Sequence, residues 1–240
     1  MRLGDRLIDS WQGELELGGD KIDETKCMRY LGVEINNKNT NADHFTKRRS
    51  KALAAMFKLK SIGVLNKQMH PNMRARLYKV YIRPVLWYGV ESIYMKQSDI
   101  LLLKRLEGNI VKTILGIHTR CKTTDLFTAL NIDSTRDRLT VTKIDFYSRV
   151  IQNSYTKELL FFMETISEAK DLVNEIYELI DVLSMDVDLN LAEACQVYKL
   201  NSGKKNVSSV VNGNVETLRS IFNMKNETDM VKNIINIIKF

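Results

Sequence analysis

Residues 28–35, MRYLGVEI, lie where the chain changes from strand-like to helix-like patterning. We predict a single short strand here, with Gly32 in its middle. Because glycine weakens the interior of a strand, we expect another group to approach the backbone closely at that position. Upstream, alternating polar and apolar residues at 14–17 are followed by the turn sequence GGD, and this pattern predicts a β-hairpin over residues 14–35.

The first helical pattern runs from residue 42 to residue 62. Apolar residues recur there at helical spacing and predict a buried face made of Phe45, Ala52, Met56 and Leu59. The opposite face carries Lys47, Lys51 and Lys58. The helix is expected to end at Gly63.

A second helical pattern occupies residues 70–92, with Pro71 in the first turn, where proline is favoured. Pro84 lies inside the pattern, removes one backbone hydrogen bond, and is expected to kink or break the helix. The predicted buried face consists of Met73, Leu77, Val80, Tyr81 and Tyr88, and the predicted cationic face of Arg76, Lys79 and Arg83. This arrangement leaves Tyr78 and Trp87 more open, so that they are the better candidates for stacking on bases.

A third helical pattern begins near Ser98, a suitable N-cap, with Asp99 near the positive end of the helix dipole. Its predicted buried stripe is Leu103, Leu106, Ile110 and Ile114, and Gly116 is expected to end it. Three amphipathic helices joined by short links predict a small helical bundle. Further helices are predicted at 123–130, at 134–153 and over much of 155–240. The predicted fold is therefore mainly α, with an N-terminal β-hairpin followed by a three-helix bundle and more C-terminal helices.

The charge is distributed unevenly along the chain and divides it into residues 1–40, 41–122 and 123–240. The net charge is +7, but residues 41–122 hold 17 basic and four acidic residues. Between His44 and Val90 there are 11 basic residues and no acidic one. So dense a positive charge indicates a polyanionic partner, and a nucleic-acid backbone is the commonest polyanion.

Several other classes of protein do not fit the sequence. No run of about 18 apolar residues is present, and acidic residues interrupt any signal-peptide core, so we expect no membrane partner and no secretion. The three cysteines are isolated, which favours a reducing, intracellular compartment, cytoplasmic or nuclear. No glycine-rich phosphate loop, nucleophile elbow or metal-ligand spacing occurs, so we expect no metal site and no small-molecule substrate.

Five segments in a fixed order resemble one known family. A strand YLGV is followed by a basic helix, then by RPVLWYG at residues 83–89, ILGI at 114–117 and the TTDLFTAL segment at 123–130. In this order they resemble the C-terminal part of reverse transcriptases of non-LTR (LINE-type) retrotransposons, over roughly residues 14–155. The resemblance implies that residues 1–40 end a palm-like region, 41–122 form a thumb-like bundle, and 123–240 form a helical connection.

The resemblance also implies roles for individual residues. In the family, the YLG hairpin acts as a primer grip that holds the 3′ end of the growing strand, which corresponds here to Tyr30, Leu31, Gly32 and Val33. The thumb lies along the template–primer duplex, an RNA–DNA hybrid, or along RNA, and contacts phosphates without reading sequence. The candidates for those contacts are Lys47, Arg48, Lys51, Lys58, Arg74, Arg76, Lys79 and Arg83.

The chain departs from the family in its catalytic residues. The family holds two metal ions on carboxylates of a palm motif of the F/Y-x-D-D kind and an earlier aspartate, but no Asp-Asp pair occurs in this sequence. We therefore expect no catalytic residue and no cofactor in this chain, since magnesium would belong to the palm, and no polymerase activity from this chain alone. Two other interpretations stay open: a stand-alone basic helical module that binds RNA or DNA, and a helical interaction protein that uses residues 168–240.

Overall fold

The computed structural model describes residues 16–21, 25–38, 40–66, 68–118, 120, 123–166 and 172–182. The first 15 residues and the helices predicted beyond residue 182 lie outside this part of the chain. The strands are β1 (Glu16–Leu17), β2 (Asp20–Lys21), β3 (Cys27–Tyr30) and β4 (Val33–Asn36). The helices are α1 (Ala42–Ser61), α2 (Pro71–Leu77), α3 (Arg83–Trp87), α4 (Gln97–Leu115), α5 (Thr123–Ala129), α6 (Thr135–Gln152), α7 (Ser154–Ile166) and α8 (Leu172–Val182). The predicted mainly α fold with an N-terminal hairpin is confirmed.

The strands form two separate antiparallel hairpins, and MRYLGVEI is one of them. β1 pairs with β2, and β3 pairs with β4 so that Tyr30 lies opposite Val33. The prediction of one strand through Gly32 was therefore wrong. Leu31 and Gly32 form the two-residue turn, with φ angles of +45° and +84°. Positive φ at both central residues is the geometry of the tight turns that match strand twist, and glycine adopts it without strain.

Helix α1 follows the second hairpin and buries the face that its sequence predicts. Phe45, Ala52 and Met56 are buried, and Leu59 packs against them. These residues face α3 and α4 across the larger of two hydrophobic clusters in the described chain. The core continues into α5 and α6, which add Leu126, Phe127 and Leu139 among others.

The helical segment after α1 is continuous through a π-helical turn, Tyr78–Ile82, which joins α2 to α3. Pro84 lies in the first turn of α3, where the missing N–H is tolerated, so the helix passes the proline instead of breaking. His70 caps α2, and Pro71 occupies its first position as predicted. A short 3-10 turn, Val90–Ser92, follows α3.

The buried face predicted for this segment was wrong at four of its five residues, and only Leu77 packs against the core. Tyr78, Ile82 and Leu86 are fully buried, whereas the predicted core residues Met73, Val80, Tyr81 and Tyr88 are each about half exposed. The buried positions recur every four residues from Arg74 to Leu86. On an ideal helix that spacing drifts by about 40° per turn, and the wider π-helical turn compensates for the drift.

Helix α4 agrees with its predicted stripe. Leu103, Leu106 and Ile110 are buried, and Ile114 packs against the core. The helix begins one residue before the predicted cap, because the Asp99 carboxylate accepts a hydrogen bond from the backbone N–H of Lys96. It ends at Gly116, which has a φ of +72°. No helix in the described part of the chain is long and apolar enough to cross a bilayer.

Candidate nucleic-acid interface

The residues that match the primer-grip motif occupy the tip of the β3–β4 hairpin. Tyr30 ends β3, Leu31 and Gly32 form the turn, and Val33 begins β4. Tyr30 is 60% exposed and Leu31 is 76% exposed. The structure therefore brings the four predicted residues together and presents two of their side chains outward.

Two hydrogen bonds hold this tip against the helices. The guanidinium of Arg48 donates from Nη2 to the Gly32 carbonyl oxygen, and the Tyr88 hydroxyl donates to the Leu31 carbonyl oxygen at 2.9 Å. The Arg48 guanidinium also lies 4.4 Å from the centre of the Tyr88 ring, a cation–π contact. A Cβ at position 32 would lie 2.9 Å from Cε1 of Tyr88, so the group that approaches Gly32 is a tyrosine of this chain.

His44 forms a third link between the hairpin and the helices. The pair next to the turn, Tyr30 and Val33, exchanges hydrogen bonds in a hairpin of this kind, so the N–H of Glu34 points away from β3. That N–H donates to Nδ1 of His44 at 3.4 Å, and Nε2 donates to the Tyr88 carbonyl oxygen at 3.0 Å. Because Nδ1 can accept only when it carries no proton, the two contacts together require the neutral imidazole. Burial lowers the pKa of His44, which favours that form.

Three exposed lysines form a row on α1, the helix that follows the hairpin. Lys47, Lys51 and Lys58 lie along one side of the helix, interleaved with small exposed residues, namely Ser50, Ala54 and Ser61. Lys47 pairs with Glu34 at 2.7 Å. The pKa of Lys51 is lowered, chiefly by the charge of Arg29 on β3 and then by partial desolvation, because positive charges gather at this junction.

Three of the predicted phosphate-contacting arginines are buried. Arg48 supports the hairpin tip, and its Nε has no hydrogen-bond partner among the described residues. Arg74 donates to the carbonyl oxygens of Met69, Ile114 and Leu115, and so places a positive charge at the C-terminus of α4. Arg83 lies in a buried network, and none of the three guanidinium groups belongs to the open surface.

That network is organised by Glu107 on α4, a buried carboxylate that sequence reasoning missed. Its Oε1 accepts hydrogen bonds from Tyr78 at 2.7 Å, from Arg83 at 2.8 Å and from Trp87 at 2.8 Å. Its Oε2 accepts from Thr135 on α6 at 2.7 Å. Burial beside this carboxylate raises the pKa of Tyr78. The sequence indicates that Glu107 is buried only through its position, because Glu107 falls inside the apolar stripe of α4.

The second predicted set, Arg76 and Lys79, lies at the surface of the α2–α3 segment. Arg76 is exposed, whereas the Lys79 ammonium donates to the Asn131 carbonyl oxygen at 3.0 Å. The aromatic assignment was wrong here, because Tyr78 and Trp87 are buried donors to Glu107, whereas Tyr81 and Tyr88 are half exposed.

Comparisons of the chain with models of known protein families, with curated proteins and with solved structures find no match.

Proposed function

We propose that this chain is the primer-grip and thumb-like region of an RNA-directed DNA polymerase of the non-LTR retrotransposon type, and that it binds a template–primer duplex. One observation carries the proposal. The tip of the β3–β4 hairpin is fixed by Arg48 and Tyr88 beside the helix that carries the lysine row. A polymerase needs this combination, because the primer end and the duplex behind it must be held in one fixed relation.

The lysine row has the character of a backbone-binding surface. Lys51 and Lys58 make no hydrogen bond or ion pair within the described residues, and the small residues between the lysines leave room for a phosphate backbone to approach α1. Contacts of this kind neutralise phosphates and release counterions, so they weaken as salt rises. An RNA–DNA hybrid suits them, because A-form-like helices are recognised by shape and backbone.

The binding surface is tested by fluorescence anisotropy of a labelled RNA–DNA hybrid across a series of salt concentrations. The double variant Lys51→Ala/Lys58→Ala is expected to weaken binding and to lower the salt slope by about 2, since each lysine that neutralises a phosphate contributes about one unit. The matched control, Lys104→Ala/Arg105→Ala, removes the same charge from exposed positions on α4. Equal reductions in affinity from both double variants, or a slope that the lysine substitutions leave unchanged, would refute the assignment of this row.

The proposed role is binding without bond formation. Nucleotide transfer uses carboxylates that hold two metal ions, and the family's paired aspartates have no counterpart in this sequence. A primer-extension assay with magnesium and an annealed hybrid is expected to yield no product from the purified chain. A polypeptide carrying the palm motif, added in trans, provides the positive control. Product from this chain alone would overturn this part of the proposal.

A further inference from the structure

The outer side of the α2–α3 segment carries an exposed stripe that the proposed duplex contact does not use. We call it the tyrosine face, and its members are Met73, Arg76, Val80, Tyr81, Pro84 and Tyr88. Tyr81 and Tyr88 are 56% and 49% exposed. Large side chains gathered on one exposed side are uncommon in a monomer and indicate a binding surface.

The two tyrosines are presented differently. Among the described residues, the Tyr81 side chain makes no hydrogen bond and no ring contact, so its ring is available to a ligand. Tyr88 is held by its hydrogen bond to Leu31 and by the Arg48 guanidinium, so its orientation is fixed. The two rings lie seven residues apart, about 10 Å along the helical segment. Spaced rings of this kind are suited to contact successive groups of an extended ligand.

The positive charge around this face favours an anionic ligand. No acidic residue occurs between His44 and Val90, and Arg76 contributes a cation to the face itself. At the Tyr88 end, the Arg48 guanidinium lies over the Tyr88 ring, and Arg29 and Lys51 are close to Arg48, where Glu34 offsets part of their positive charge. A ligand that fits must therefore combine negative charge with flat apolar groups that can lie on tyrosine rings.

We propose that the tyrosine face binds single-stranded nucleic acid, with unpaired bases stacked on Tyr81 and phosphates attracted by Arg76. This proposal rests on the proposed function, because it adds a second nucleic-acid subsite to the same helical bundle. Unpaired bases are required, because in a duplex the base faces are covered by their neighbours and cannot reach a side chain. Stacking on aromatic rings beside cations is the common mode of binding single strands without sequence preference.

The test uses a labelled oligouridylate as the single strand and the labelled RNA–DNA hybrid as the duplex. Tyr81→Ala is expected to weaken single-strand binding roughly tenfold, the effect of removing one base–aromatic stack, and to leave hybrid binding unchanged. Tyr81→Phe keeps the ring and is expected to bind like the parent chain. Tyr155→Ala on α7 is the matched control, because Tyr155 is 85% exposed beside the exposed acidic Glu158. Thermal unfolding of each variant verifies that the fold is retained.

Each outcome separates this inference from the proposed function. Single-strand affinity that Tyr81→Ala leaves unchanged would overturn the tyrosine-face assignment, even if the hybrid still binds through the lysine row. Equal reductions in affinity for the single strand and the hybrid would also overturn it, because the ring would then serve both ligands. Failure of the parent chain to bind either probe would remove both proposals. Binding of an acidic peptide that competes with the single strand, and that Tyr81→Ala abolishes, would reassign the face to a protein partner.

Discussion

The Tyr88 hydroxyl donates a hydrogen bond to the Leu31 carbonyl oxygen at 2.9 Å, across 57 positions of sequence. It joins the end of α3 to the tip of the β3–β4 hairpin. The Tyr88 ring also packs against Gly32 and makes a cation–π contact with the guanidinium of Arg48. The position of the hairpin tip is therefore set by a side chain from the helical bundle, and the tip cannot move independently of it without breaking these interactions.

Gly32→Ala tests this packing. Alanine at a φ of +84° is strained, and its Cβ would also lie 2.9 Å from Tyr88, so we expect a decrease of about 2 to 3 kcal/mol in the free energy of unfolding. Gly63→Ala is the control, because Gly63 has a φ of +77° with no atom within 4 Å of the added Cβ, and we expect it to cost about 1 to 2 kcal/mol. Urea unfolding measures both values. Equal decreases would show that the contact with Tyr88 adds nothing.

The helices could be predicted because their signals are local. The buried stripe of α4, the proline at the start of α2 and the glycine after α4 are each read within a few residues. The lysine row of α1 is likewise a property of one helix, and the structure places Lys51 and Lys58 at its surface.

The remaining features depend on partners that are distant in sequence. Leu31–Gly32 lacks the Asn or Asp that usually marks a two-residue turn, so the hairpin read as a single strand. Arg83 is buried because Glu107, 24 residues away, supplies a carboxylate, and no periodicity reveals such a pairing. Once the arginines are placed in the core, the tyrosines predicted to be buried are left on the outside.

Replacement of Arg83 is expected to reduce stability, whereas replacement of Arg76, in the same helical segment, is expected to reduce binding. Arg83→Ala leaves the Glu107 carboxylate without its cation in a buried site, and we expect a decrease of about 3 to 5 kcal/mol in the free energy of unfolding. Arg76→Ala removes an exposed cation and is expected to change stability by less than about 0.5 kcal/mol while weakening binding of the single-stranded oligouridylate. Thermal unfolding, together with anisotropy of the labelled oligouridylate and of the labelled hybrid, separates the two roles when it is measured on both variants. If the Arg83→Ala protein is as stable as the parent chain and has reduced affinity for the hybrid, Arg83 contacts the duplex and does not stabilise the core.

A second ion pair, between the buried Lys143 and the partly buried Glu175, is expected to hold α8 to the rest of the described chain. The Lys143 ammonium donates to Glu175 at 2.7 Å and to the Ile93 carbonyl oxygen at 2.8 Å. Glu175→Gln removes the anion and leaves a buried ammonium, so we expect backbone amides of α8 to exchange with deuterium at least several-fold faster. Glu178→Gln, at an exposed position of the same helix, is the control and is expected to leave exchange unchanged. Identical exchange in the two variants would mean that apolar packing alone holds α8.

The stability of the chain is expected to fall as the pH drops below the ordinary pKa of histidine, because of His44. Burial is the largest cause of its lowered pKa and the Arg48 charge acts in the same direction, whereas the Tyr88 carbonyl, Glu34 and Glu91 oppose them. The unfolded chain therefore binds the proton more readily than the folded chain. The stability that the neutral His44 contributes is fully present above about pH 6.5, and it is lost as the pH falls from there towards the pKa of His44 in the folded chain.

The variant His44→Gln isolates this effect, since an amide can accept from the Glu34 N–H and donate to the Tyr88 carbonyl without titrating. Urea unfolding at several values from about pH 8 to about pH 5 measures the slope of stability against pH. The variant is expected to show a smaller slope than the parent chain. His70→Gln is the necessary comparison, because burial and then Arg74 also lower the pKa of His70 and give a slope of the same sign. If His44→Gln retains the full slope, the neutral imidazole is not what links hairpin and helices.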